Sequence, residues 1–200
     1  MQVSGSLPEE GLRERKRRET LQRISEVGLG LFLAKGYDAT TLHEIAAEAG
    51  ISRRTFFYYF KSKDDIILAY IGGLAEDLKT EIKNTASHSP LDAVRDAMVK
   101  LSAGFEASKL LATARFMRES GALRIKQRNN SQFEQAVFEA LCEVWPAKSR
   151  RARLRLVAIA SIGANRVAVD SWLEQNGKRS LPSYFRDAFN DLKAEMGVKN

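Results

Sequence analysis

The chain contains a single cysteine, Cys142, in 200 residues, so no disulfide can close within it and a thiolate zinc site lacks its ligands. Histidine is nearly as scarce. His43 and His88 are the only two and lie far apart in sequence, which nearly excludes an imidazole metal cluster. Proline is confined to Pro8, Pro90, Pro146 and Pro182, which leaves room for long helices. No apolar run approaches the roughly 20 residues that a membrane span needs. The N-terminus starts polar and turns basic, without the apolar core of a signal peptide. Gly-rich phosphate loops, metal-ligand spacings and nucleophile elbows are all missing. These absences argue against an enzyme, a cofactor carrier, a metalloprotein and a membrane protein. A cytoplasmic chain without a cofactor is the expectation.

Hydrophobic residues make up 44% of the chain and charged residues 28%, proportions that fold into a sizeable core without staples. The formal net charge is +7 and the isoelectric point is about 9.6, which favours a polyanionic partner: nucleic acid, anionic membrane or acidic protein. Residues 1–12 read as a flexible tail. Arg13 to Arg18 (RERKRR) carries five positive charges and one negative. It reads equally as the solvated start of a helix or as an arm that reaches a phosphate backbone.

From Glu19 onward the periodicity is helical nearly throughout. Ile24, Val27, Leu31 and Phe32 share one face, and Gly36 suits the end of that helix. Thr40 can cap the next helix, with Glu44 near the position that completes a capping box. Leu42, Ile45, Ala46 and Ala49 form a short apolar stripe, broken at Gly50. Ser52 is a good N-cap for a helix from Arg53, and Ser62 for one from Lys63. Further helices are expected over Lys63 to about Thr85, Leu91 to Ser108, Leu110 to Ser120, Gln132 to Trp145, Arg150 to Asn176 and Pro182 to Met196. Gly121 to Asn130 reads as a polar, basic stretch. The fold class is therefore all-α, with no hairpin signal and no internal repeat.

The informative segment is residues 40–63, TTLHEIAAEAGISRRTFFYYFKSK. Two short helices flank Ala49-Gly50-Ile51-Ser52, the pattern of a helix-turn-helix whose second helix is free to enter a major groove. Ala46, Ala47 and Ala49 are small enough for a steep crossing, and Gly50 permits the turn. Ile51, Phe56 and Phe60 anchor the second helix. Arg53, Arg54, Thr55, Phe57, Tyr58 and Tyr59 are left for its outward face. Arginine grips guanine edges or phosphates, hydroxyls donate to phosphates, and an aromatic ring packs on thymine methyls. The bland alternative is an aromatic core cluster, but residues 56–60 point all around a helix and one neighbour cannot bury them all.

Residues 20–67 resemble the N-terminal domain of TetR-type transcriptional regulators. The resemblance rests on Phe32…Lys35-Gly36-Tyr37, Thr40-Thr41-Leu42…Ile45-Ala46…Ala49-Gly50-Ile51-Ser52, Thr55 to Phe60, and Ser62-Lys63-Asp64. It implies a three-helix helix-turn-helix DNA-binding domain over residues 13–62, followed by a helical ligand-binding and dimerisation domain over 63–200. It further implies phosphate contacts from Thr41, Thr55, Tyr59 and Lys63, and base contacts from Arg53, Arg54, Phe57 and Tyr58. The implied function is a ligand-responsive regulator, most often a repressor, that binds a near-palindromic double-stranded operator as a homodimer. The arginine pair at 53–54 departs from the smaller or polar residues common there, so its sequence preference should be its own.

In the C-terminal part, Ala160, Gly163, Ala164 and Val167 form a small-residue stripe, with Ile159, Ile162 and Trp172 adding bulk. Phe185, Ala188, Phe189, Leu192 and Met196 form an apolar face on the last helix. Together they suggest a homodimer through the helices near 150–176 and 182–196, or else burial within one chain. Met98, Phe105, Phe116, Met117, Phe138, Trp145 and Trp172 are candidates to line a pocket for a small, mainly apolar effector; each also reads as plain core. The basic run from Lys148 to Arg155 reads as a solvated helix start with arginine stems over apolar surface, a second nucleic-acid surface, or an anion site. Gly72-Gly73 in the long connecting helix reads as a hinge or as a close-packing site.

Overall fold

The computed structural model describes residues 11–119 and 123–197, and its elements are all helical among them. The expected tail falls largely on residues 1–10, outside the described residues, as do residues 120–122. Among the described residues nine α-helices run in order: α1 (Leu12–Lys35), α2 (Leu42–Glu48), α3 (Arg53–Tyr59), α4 (Lys63–Lys83), α5 (Pro90–Ala103), α6 (Ala107–Glu119), α7 (Leu123–Val144), α8 (Arg151–Glu174) and α9 (Leu181–Glu195). A single 3₁₀ turn, Lys148–Arg150, leads into α8. The chain divides into two compact units, residues 1–70 and 71–200, and α4 runs through the division.

The first unit is built around α1 to α3 and the start of α4. Ile24, Leu29 and Phe32 of α1, Ile45 and Ala46 of α2, Phe56 and Phe60 of the α3 segment, and Ile66 and Ile67 of α4 are buried together in this unit. Gly28 belongs to the same face for a steric reason. A Cβ there would stand 2.6 Å from Ile66 Cγ2, so only glycine lets α1 and α4 approach this closely.

Two readings are corrected in this unit. The N-cap of α2 is Thr41, not Thr40. The Thr41 hydroxyl accepts the Glu44 N–H at 3.2 Å, and the Glu44 carboxylate accepts the Thr41 N–H at 2.8 Å, a reciprocal capping box. Thr40 is buried instead, and its hydroxyl donates to the Gly36 carbonyl at 2.8 Å, closing the end of α1. Ala47 does not serve the helix crossing. It is exposed, and Ala46 and Ala49 are the small residues turned inward.

In the second unit, α8 packs mainly against α9 and α7, and α5 packs against α9. Ala93, Val94 and Ala97 of α5, Val137 and Leu141 of α7, and Ala158 and Ala168 of α8 are core residues, closed by Trp172, Phe185 and Phe189. Pro90 occupies the first turn of α5, where a missing N–H costs nothing. Lys193 is buried in this unit and donates to the Asp92 carboxylate at 2.6 Å, while Arg95 pairs with the same oxygen at 2.6 Å. Burial pushes the Asp92 carboxyl up, but the Lys193 hydrogen bond and the Arg95 charge outweigh it and hold the group below its ordinary value.

The remaining differences have local causes. The expected helix to Ser108 ends at Ala103, because Gly104 caps it and the chain turns through Phe105 and Glu106 before α6. The helix expected from Gln132 starts at Leu123, so the polar stretch before it is helical over 123–130. Phe185 and Phe189 of the expected dimer face are buried within their own chain. The segment Lys148–Glu174 is, by length and composition, apolar enough to cross a membrane, contrary to the expectation that no such run exists. Its alanines, valines and isoleucines add up to that threshold although arginines interrupt it, and one face is the core of the second unit.

Candidate nucleic-acid interface

The turn between α2 and α3 is set by Gly50, whose φ of 65° places it in the left-handed region that disfavours a side chain. Ser52 then caps α3. Its hydroxyl accepts the Thr55 N–H at 3.1 Å and lies 2.8 Å from the Thr55 hydroxyl. Phe56 and Phe60 are buried and fix the inner side of α3, with ring centroids 5.6 Å apart. Ile51, the third expected anchor, is only half-buried.

With α3 fixed in this way, Arg53, Arg54, Thr55 and Tyr58 face solvent, and Phe57 and Tyr59 are half-buried. Neither arginine makes an ion pair with any described residue, so both guanidinium groups are available to an incoming anion or base edge. Tyr58 is 74% exposed, an unusual position for an aromatic ring unless something covers it. Tyr59 stacks edge-on against it, at 5.1 Å between centroids.

Phe57 has a support that sequence spacing did not reveal. The exposed imidazole of His43, on α2, meets the Phe57 ring edge-on at 5.9 Å, and the Phe56 ring meets it edge-on at 5.5 Å. No periodicity within one helix links residues 43 and 57, because the contact is made by the crossing of two helices. Lys61 is a second residue missed. Its ammonium donates to the Phe57 carbonyl at the C-terminal end of α3, where positive charge is favoured.

The residues assigned to phosphate contacts are partly committed to internal partners. Thr41 is exposed, but its hydroxyl also donates to the Glu44 carboxylate at 3.0 Å. The Thr41 backbone N–H, Lys35 and the Thr41 hydroxyl together hold the Glu44 carboxyl down to about 2. The Lys63 ammonium donates to the Tyr37 carbonyl at 2.6 Å and lies 4.4 Å over the Tyr37 ring. Burial, and then the hydrogen bond to Asp64, push the Tyr37 hydroxyl well above its ordinary value, so Tyr37 stays a neutral donor. Ser62 caps α4 as expected, accepting the Asp65 N–H at 3.1 Å, and the Asp65 carboxylate returns bonds to the N–H groups of Ser62 and Lys61. The Arg13–Arg18 run forms the exposed first turns of α1.

Of the seven candidates for a pocket, two share a cleft among the described residues. Phe105 and Trp172 line one cleft of about 700 Å³ in the second unit. Met98 and Phe138 are core residues, Trp145 packs on that core, and Phe116 and Met117 are half-buried on α6. Arg155 and Arg151 lie over the Phe138 ring at 3.8 and 5.0 Å, so these two members of the basic run shield apolar surface. Cys142 is a free thiol, and no group of metal-ligating side chains occurs among the described residues.

Comparison with known proteins is consistent across both units. Residues 24–70 match the family model of bacterial regulatory proteins of the tetR family, and residues 88–197 match that of the MftR C-terminal domain. The chain is 38% identical over 88 residues to the transcriptional regulator TcmR of Streptomyces glaucescens, covering 44% of this chain and 39% of that protein. It is 32% identical over 119 residues to MftR of Mycobacterium tuberculosis, described as a putative mycofactocin biosynthesis regulator, covering 56% of this chain and 57% of that protein. The chain thus spans well under two thirds of these relatives. Among solved structures, Thermus thermophilus FadR superposes with a TM-score of 0.61 at 22% identity, covering 92% of this chain and 97% of that one. SmeT of Stenotrophomonas maltophilia superposes at 0.62 and 20% identity, covering 92% and 93%. These neighbours show a shared fold.

Proposed function

The chain belongs to the TetR family of bacterial regulatory proteins, and from that premise we propose that it is a ligand-responsive repressor. It binds a near-palindromic operator as a homodimer, with α3 in the major groove, and leaves the operator when a small, mainly apolar effector binds its second unit. The observation that carries the DNA-binding part is the α3 surface. Two arginines without an ion-pair partner among the described residues stand beside a tyrosine that is 74% exposed, on a helix whose other side is locked by Phe56 and Phe60. Arg53 and Arg54 are the direct readers in this account, with Phe57 and Tyr58 adding base-edge contacts. Thr55, Tyr59, Thr41 and Lys63 position the head on the phosphates. For Thr41 and Lys63, this takes place beside the internal bonds they already make. The protein acts in the cytoplasm, with neither catalysis nor a cofactor.

The dimer reading is supported by the outer side of α8. Leu156, Ile159 and Val167 are 66%, 47% and 57% exposed, at helical spacing and with Gly163 between them. Two copies present two α3 helices to half-sites about 34 Å apart, which is how a head of this size gains affinity. The effector reading is supported by the apolar lining of the second unit and is in keeping with the lauroyl-CoA bound to the Thermus neighbour. The test is fluorescence anisotropy on a duplex selected from genomic DNA. Arg54→Ala is expected to cost about 1–3 kcal/mol and to relax preference at one base position. Equal loss on every duplex would make Arg54 a phosphate contact, and no selective binding by the unsubstituted protein would refute the proposal.

A further inference from the structure

The cleft in the second unit has a composition that apolar packing does not explain. One wall comes from the α5–α6 turn and the start of α6: Phe105, Leu110 and Leu111. The other comes from the end of α8 and the start of α9: Trp172, Leu181 and Pro182. Phe105 is 42% exposed, so the apolar wall is open to an occupant. The indole of Trp172 is fixed, because its N–H donates to the Arg179 carbonyl at 3.0 Å.

Three serines also line the cleft, and its charged lining is wholly cationic. Lys178, Arg179 and Arg186 border the cleft, and no carboxylate does. Arg179 is already engaged, with Asp187 at 2.8 Å and the Tyr184 ring at 5.1 Å. Lys178 and Arg186 have no ion-pair partner among the described residues. Glu106, the acid nearest in sequence on the opposite wall, does not line the cleft and accepts the Ser108 hydroxyl. An apolar pocket for a neutral ligand would not need two uncompensated cations at its edge, and a phosphate-only site would not need an exposed aromatic ring backed by leucines. A volume of about 700 Å³ is that of a small-molecule site.

We infer that this cleft binds a small amphipathic anion: an apolar body against Phe105, Leu110 and Leu111, with the buried Trp172 indole behind them, and a carboxylate or phosphoryl group on Lys178 and Arg186. The inference that its occupancy controls DNA binding rests on the repressor reading above. Occupancy itself does not, and it is measured separately.

The measurement uses the full chain carrying Trp145→Phe, which leaves Trp172 as the sole tryptophan and a reporter in the cleft wall. Decanoate, decyl phosphate and 1-decanol are titrated below their aggregation limits while Trp172 emission is followed. Both anions are expected to shift the emission saturably, the neutral alcohol binding about tenfold or more weakly; which anion binds tighter identifies the headgroup. Lys178→Glu/Arg186→Glu is expected to weaken decanoate by at least about tenfold and to strengthen decyltrimethylammonium. Both positions are exposed, so the double variant keeps its core. Equal affinity for decanol and decanoate, indifference to the charge reversal, or no Trp172 response overturns the inference. Selective DNA binding is read on a separate duplex, so a silent cleft with intact operator recognition leaves the repressor reading standing. A responsive cleft without operator recognition does the reverse.

Discussion

Gly28 and Gly30 lie one turn or less apart in α1, and the same substitution at each should change stability in opposite directions. At Gly30 an added Cβ meets nothing within 4 Å, so Gly30→Ala only lowers the backbone entropy lost on folding and gains about 0.5–1 kcal/mol. At Gly28 the same gain is set against a Cβ 2.6 Å from Ile66 Cγ2, with Ile45 side-chain carbons at 3.6 and 3.7 Å close by. Ile66 is fully buried and its γ2 methyl sits on a β-branched carbon, so it cannot swing aside. Overpacking of this kind costs about 1–3 kcal/mol, which leaves Gly28→Ala destabilising by up to about 2.5 kcal/mol. The two variants should therefore differ by roughly 1–3 kcal/mol. Hydrogen exchange of the α1–α3 amides reads this within the first unit without assuming that both units unfold together. Adding Ile66→Leu, which lacks a γ2 methyl, should restore part of the Gly28→Ala loss. If Gly28→Ala protects these amides as much as Gly30→Ala does, the close approach of α1 and α4 is not the reason for the glycine.

Asp92→Asn leaves the buried Lys193 ammonium without its carboxylate and should cost about 2–3 kcal/mol at neutral pH by urea unfolding, a figure reduced for the partial exposure of the pair. Because the Asp92 carboxyl is held below its ordinary value, its contribution is present above roughly pH 4 and is lost as pH falls through the lowered value; the asparagine variant should show a shallower acid loss. Leu156→Glu/Val167→Glu, on the exposed stripe of α8, should convert a dimer into monomers in sedimentation at micromolar concentration, while a dimer that persists places the interface elsewhere. An added Cβ at Gly72 or Gly73 meets no described atom within 4 Å, so no described neighbour packs closely over either glycine. Alanine at both should stabilise α4 by about 1 kcal/mol per site and blunt effector release of DNA; unchanged release would exclude a hinge there.

Much of the first unit was legible because its signals are local. Gly50, Ser52 and the alternation of Phe56 and Phe60 with exposed neighbours fix α3 from residues close together in the chain. The α2 cap was also present in the sequence. The spacing Thr41-Leu42-His43-Glu44 satisfies the capping box, whereas Thr40 stands one residue too far from Glu44. What was hidden depends on residues distant in the chain. The Gly28–Ile66 approach, the His43 support for Phe57 and the inward turn of Lys63 onto Tyr37 are products of helix crossing. The apolar pattern of α9 showed a buried face but not what buries it, so Phe185 and Phe189 could be assigned to a partner when their own chain covers them. Of the cleft, Phe105 and Trp172 were named from the sequence but its cationic side was not, because its walls come from residues 102–111 and 172–186, and only folding brings them together.

The account stands on α3 reading DNA sequence. The most direct measurement is the affinity of the protein for a duplex selected from genomic fragments against a scrambled duplex of equal length, at physiological salt with competitor DNA. Selected DNA should bind about a thousandfold or more tighter, and Arg54→Ala should narrow that ratio. Equal affinity for the two duplexes, or a ratio untouched by substitution at both Arg53 and Arg54, would contradict it.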